Sequence, residues 1–119
     1  MILPLGLRVI LCLTPTDMRC GYDALANRVR HVLADDPLCG ALFVFRSRDA
    51  TRLKILYWDK DGLAIWMKRL EAGTFRFPVR SDGATLAITA ADLAMLLDGV
   101  DLNSVKRRKR FALPQAAQT

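Results

Sequence analysis

Leu42-Phe43-Val44-Phe45-Arg46, Arg52-Leu53-Lys54-Ile55-Leu56-Tyr57-Trp58 and Leu63-Ala64-Ile65-Trp66-Met67-Lys68-Arg69 are three short apolar or alternating runs. Turn signals separate them, the second being Asp59-Lys60-Asp61-Gly62. Runs of this length rich in β-branched and aromatic residues and bounded by turn formers predict an antiparallel three-stranded β-meander. The first run is apolar on both faces, which predicts a central or covered strand. Asp59 to Gly62 suits a hairpin turn, with Gly62 expected to take positive φ and aspartate to bond its own backbone.

Period-two alternation divides the other two runs by face. Leu53, Ile55 and Tyr57 oppose Arg52, Lys54, Leu56 and Trp58, and Leu63, Ile65 and Met67 alternate with Ala64, Trp66 and Lys68. Each run therefore has one apolar face and one aromatic and cationic face. Arg46, Arg48, Arg52 and Lys54 gather around the first turn, with Trp58, Trp66 and Lys68 on the mixed faces. Cations for phosphates and rings for bases make this a candidate nucleic-acid surface. The competing reading buries both tryptophans and leaves the arginines as solubilising edge charges.

Outside the meander, Leu7 to Leu13 predicts a short strand stopped by Pro15. Tyr22, Leu25, Val29 and Leu33 recur at helical spacing, predicting a helix that ends near Asp36-Pro37. Phe75 to Val79 and Ala84 to Ile88 are candidate edge strands. Thr89-Ala90-Ala91-Asp92 has capping-box spacing, Leu93, Leu96 and Leu97 supply a stripe, and Gly99 stands at the left-handed stop position. The expected fold class is α+β, a small antiparallel sheet built on the meander with two main helices. One domain is expected over residues 1–102, with a basic, flexible tail over 103–119.

The chain has 119 residues, 52% hydrophobic and 25% charged, and a formal net charge of +6. That composition is globular, and the positive balance favours an anionic partner. The charge is segmented. Residues 1–45 balance four arginines against four aspartates, residues 46–80 carry nine basic against four acidic residues, and residues 81–105 hold four aspartates and no base. The run Lys106-Arg107-Arg108-Lys109-Arg110 then adds five charges. If all five met duplex phosphates, the slope of log affinity on log salt would steepen by about −4.5.

Enzymatic chemistry has little to work with. His31 is the single histidine, and Cys12, Cys20 and Cys39 lack metal-ligand spacing, so no metal or cofactor is expected. A nucleophile–base pair would need His31 beside Cys20 or Cys39, whereas His31 reads as a structural helix residue. Asp59 and Asp61 could contribute to a divalent-cation site but are better explained as turn formers. The apolar start lacks a preceding basic region and is interrupted by Arg8. No run reaches the ~18 apolar residues of a membrane span. Odd, scattered cysteines predict reduced thiols and a cytoplasmic address.

The string from Leu42 to Phe75, with Tyr57-Trp58-Asp59-Lys60-Asp61-Gly62-Leu63 at its centre and Lys68-Arg69-Leu70-Glu71-Ala72-Gly73-Thr74-Phe75 at its end, resembles the accessory proteins of bacterial insertion sequence 66 elements. That family is called TnpB, a name shared with an unrelated RNA-guided nuclease. Thr16 to Leu25 and Leu93 to Asp101 extend the resemblance over about residues 7–102. Relatives often carry a basic residue at the position of Cys20, and basic or glycine residues around Ser47 to Ala50. The resemblance implies a non-catalytic helper encoded beside a transposase, with that transposase and DNA as partners. It also implies a bacterial cytoplasmic setting, on the nucleoid when DNA is bound. The alternative is a protein–protein adaptor for the transposase, docking through the acidic stretch from Asp82 to Asp101 or the apolar sheet edge, without DNA recognition.

Overall fold

Phe43, Val44 and Phe45 are fully buried, as a strand apolar on both faces must be when a layer covers each side. The computed structural model describes residues 6–79 and 83–102. Its elements, in chain order, are β1 (Val9–Cys12), α1 (Tyr22–His31), β2 (Leu42–Arg46), β3 (Arg52–Asp59), β4 (Gly62–Arg69), β5 (Thr85–Ile88) and α2 (Ala90–Leu97). They form one five-stranded sheet, ordered β4-β3-β2-β1-β5.

The fold is α+β, as expected, and the meander β2-β3-β4 is antiparallel. β5 also pairs antiparallel with β1. The one parallel pair is β1 with β2, joined through α1, so the sheet is mixed rather than purely antiparallel.

Two core clusters follow from the alternation of side chains. On one face Val9, Leu11, Leu42, Val44, Leu53 and Ile55 pack with Leu93 and Leu96 of α2. On the other, Ile10, Cys12, Phe43, Phe45 and Leu56 pack with Leu25 and Val29 of α1. Each such side chain contributes roughly 1.5–3 kcal/mol on burial.

Helix α1 ends sooner than the Asp36-Pro37 signal implied. Val32 is its C-cap, and Ala34 takes a left-handed φ of 52°. Leu25, Val29 and Leu33 form the buried stripe, but Tyr22 is exposed. Helix α2 matches its punctuation. The Thr89 hydroxyl accepts from the Asp92 amide at 3.0 Å, and the Thr89 amide donates to the Asp92 carboxylate at 3.2 Å. At its far end Gly99 has φ 85°, its amide donates to the Leu96 carbonyl, and the Val100 amide donates to that of Met95. That pattern is a Schellman motif.

Two local expectations are corrected. Residues 75–79 form no strand; Phe75 instead buries itself in the α2-side core, and its amide donates to the Ala50 carbonyl. At the β3–β4 tip, Lys60 takes the left-handed conformation, φ 57°, while Gly62 is the first residue of β4. The segment 103–119, with its basic run and the boundary expected before it, lies outside the described residues.

Candidate nucleic-acid interface

The β2–β3 turn is built around one carboxylate. Asp49 Oδ1 accepts from Ser47 Oγ at 2.8 Å, from Thr51 Oγ1 at 2.8 Å and from the Thr51 amide at 3.1 Å. The Thr51 amide, with the Ser47 and Thr51 hydroxyls, lowers its pKa to about 2. Ser47 Oγ in turn accepts from the Arg52 amide at 3.0 Å. The turn therefore holds the backbone on either side of Arg48 and up to Arg52.

The four cations expected around this turn divide into two pairs. Arg46 is used internally: it donates to the Leu13 carbonyl at 3.0 Å, and its guanidinium lies 5.6 Å from the Phe77 ring centroid. Lys54 is also used internally, donating from Nζ to the Cys20 carbonyl at 2.7 Å. Arg48 and Arg52 are exposed, and their side chains make no hydrogen bond or ion pair among the described residues. They border a cleft of about 270 Å³ whose opposite wall is Pro15 to Met18. Thr16 is buried in that wall, with its hydroxyl oxygen unpaired among the described residues. Asp17 there is engaged by Arg19 at 2.7 Å, and the side-chain and backbone bonds from Arg19 hold its pKa at about 2.

Strand register adds a cation that sequence reasoning passed over. Arg52 stands directly opposite Arg69, and both lie on the α1 side with Lys54 and Leu56. Side chains so placed are about 5 Å apart at Cβ and repel when both are positive. Lys68, the expected site residue, pairs with Leu53 and so points to the α2 side. The signal was the two-residue hairpin: Asp59 pairs with Gly62, so residues of opposite parity share a face across β3 and β4.

The same register corrects the reading of the tryptophans. Trp58 pairs with Leu63 on the α1 side, whereas Trp66 pairs with Ile55 on the α2 side. Both are half-buried, and they cannot form one stacking platform. The mixed face of β3 continues into the apolar face of β4, and the reverse holds on the other side. Lys106, Arg107, Arg108, Lys109 and Arg110 lie outside the described residues.

Among the described residues no group of three histidine, cysteine or acidic side chains is placed to hold a metal ion. No helix there is long and apolar enough to cross a membrane. Cys12 is buried, Cys20 half-buried and Cys39 exposed, all as free thiols. His31 is exposed on the last turn of α1. Asp59 and Asp61 occupy the hairpin tip, at the far end of β3 and β4 from the arginines.

Fold and site together define a small α+β domain with a cationic corner at one end of its sheet. The chain belongs to the family described as IS66 Orf2 like protein, whose profile matches residues 7–107, and is thus a transposition-associated accessory protein of the insertion sequence 66 type. It is 40% identical over 103 residues to the protein named uncharacterized protein y4jC of Sinorhizobium fredii (strain NBRC 101917 / NGR234), covering 87% of each chain. It is 45% identical over 101 residues to uncharacterized protein y4hO of the same strain, covering 83% of this chain and 87% of the relative. No solved structure matches.

Proposed function

We propose that this protein is a non-catalytic helper of transposition that grips the DNA backbone with Arg48 and Arg52, reinforced by the basic run Lys106 to Arg110. The observation that carries this reading is the division of the cations. Arg46 and Lys54 are consumed by the fold, while Arg48 and Arg52 are held out on a braced turn with no hydrogen bond or ion pair among the described residues, Arg52 feeling Asp17 and Asp49 only through their charge. Two guanidinium groups at a cleft mouth suit phosphate oxygens, which arginine binds in a bidentate fork. Nothing in the arrangement reads base edges, so the grip is on the backbone and tolerant of sequence.

The acidic stretch supports an adaptor role less well. Asp92 is buried in the α2 capping box, so its carboxylate is spent on the helix, while Asp98 caps the other end through its backbone amide. Titration of the full chain against labelled element-end duplex and random duplex over a salt series tests the proposal. Removing both Arg48 and Arg52 should flatten the slope of log affinity on log salt by about 2. Absence of binding near physiological salt, together with retained co-purification with the transposase, would favour the adaptor instead.

A further inference from the structure

Strand β4 is an edge of the sheet, eight residues long, with no strand on its outer side among the described residues. Leu63, Ile65 and Trp66 are only half-covered, and Met67 is 50% exposed. An unpaired, apolar edge of this length is a template for another strand. Its charge pattern states which one. Asp59 and Asp61 stand at one end and Lys68 and Arg69 at the other, so a copy running antiparallel sets each end against its complement.

We propose that β4 pairs with β4 of a second copy about a two-fold axis through Ile65, joining two five-stranded sheets into one. In an antiparallel ladder every second residue turns its peptide groups outward. For a hairpin closed by Asp59 and Gly62 these residues are Leu63, Ile65, Met67 and Arg69. Pairing through them sets Arg69 opposite the partner's Asp61 and Met67 opposite the partner's Leu63. On the other face Trp66 meets the partner's Ala64, a large side chain over a small one. A slip of two residues in one direction would oppose Asp61 to the partner's Glu71, and in the other Lys60 to the partner's Lys68. The register centred on Ile65 avoids both of these like pairs and sets Arg69 against the partner's Asp61 twice per dimer. It also supplies a countercharge to Arg69, which faces Arg52 within its own sheet and holds Glu71 only loosely, at 3.5 Å.

Sedimentation velocity on the full, nucleic-acid-free chain over a concentration series reads the association. The unmodified chain should dimerise, and Asp61→Arg and Arg69→Asp should each weaken the dimer about tenfold by setting like charges opposite twice per dimer. Arg69→Asp leaves the hairpin tip intact and guards against a folding effect of Asp61→Arg. Mixed in equal amounts, the two variants should recover association as a 1:1 pair, because each charge then meets its opposite. A chain that stays monomeric at every concentration, a dimer indifferent to both swaps, or a mixture that fails to recover would each overturn the proposal.

Discussion

Arg52 and Arg69 face each other across the β3–β4 ladder, two like charges in directly opposed positions on one face of the sheet. Such a pair opposes folding, because the strands must bring the charges together. Replacing Arg69 by threonine, a good strand former, should raise stability at low salt by about 0.2–0.5 kcal/mol. The lost contact to Glu71 offsets little, since both side chains are mostly exposed. Urea unfolding of dilute protein should show the gain shrinking as salt screens the pair.

Lys54 and Arg52 are neighbours in sequence with different work. Lys54 ties β3 to the loop before α1 through the Cys20 carbonyl. Lys54→Met should cost about 1 kcal/mol of stability, below the ~1.5–3 kcal/mol of a charged hydrogen bond because the lysine is partly exposed. Its DNA salt slope should match that of the unmodified chain. Arg52→Ala should do the reverse, flattening the slope by about 1 with a small effect on the urea midpoint. Equal losses of slope in both variants would sink the division of labour.

Ala50 holds a left-handed φ of 59° at the end of the Asp49 turn, a conformation that crowds a Cβ. Its carbonyl accepts from Phe75, so the backbone cannot relax without disturbing the core. Ala50→Gly should stabilise the protein by about 0.5–1 kcal/mol, the relief of strain exceeding the entropy glycine adds to the unfolded chain. Thermal unfolding checks the sign.

Much of this fold was legible because local chemistry decides it. The Thr89–Asp92 box and Gly99 bound α2 by themselves, and Leu25, Val29 and Leu33 mark the buried face of α1. The burial of Phe43 to Phe45 on both sides also followed from composition. What pattern alone did not yield was set at a distance. Trp58 and Trp66 lie in runs that each alternate correctly, yet which faces join depends on whether the tip loop holds an odd or even number of residues. With Lys60 and Asp61 as the loop, they part to opposite faces. Lys54 and Arg46 look like surface cations in sequence, and only the approach of Cys20, Leu13 and Phe77 reveals them as internal ties. Phe75 to Val79 has strand composition, but Phe75 turns into the core and its amide goes to the Ala50 carbonyl rather than into a ladder.

The α2 caps give a paired test of how far the second helix supports the sheet. Thr89→Ala removes the hydroxyl that accepts from Asp92 and should cost about 1 kcal/mol. Gly99→Ala places a Cβ at φ 85° and should cost a similar ~1 kcal/mol. The residues sit at opposite ends of the helix, so the double variant should lose the sum within about 0.5 kcal/mol. A clearly smaller combined loss would mean that the first substitution already frees α2 from Leu42 and Val44.

Acid should unfold this protein partly through its turns. Asp17 and Asp49 each have a pKa of about 2, the first held down by its bonds from Arg19 and the second by the Thr51 amide with the Ser47 and Thr51 hydroxyls. In the unfolded chain both return to the ordinary aspartate value near 3.9. Between about pH 4 and pH 2 the unfolded state therefore binds more protons than the native one, so stability falls as pH falls through that window. Above it the contribution is complete and insensitive to pH. Asp49→Asn should lower stability at neutral pH, because the amide is a weaker acceptor for three donors, yet flatten the acid limb of the curve. Urea midpoints followed by circular dichroism from pH 7 to about pH 2 separate the two effects. An acid limb as steep in the variant as in the unmodified chain would show that the Asp49 turn does not carry its share.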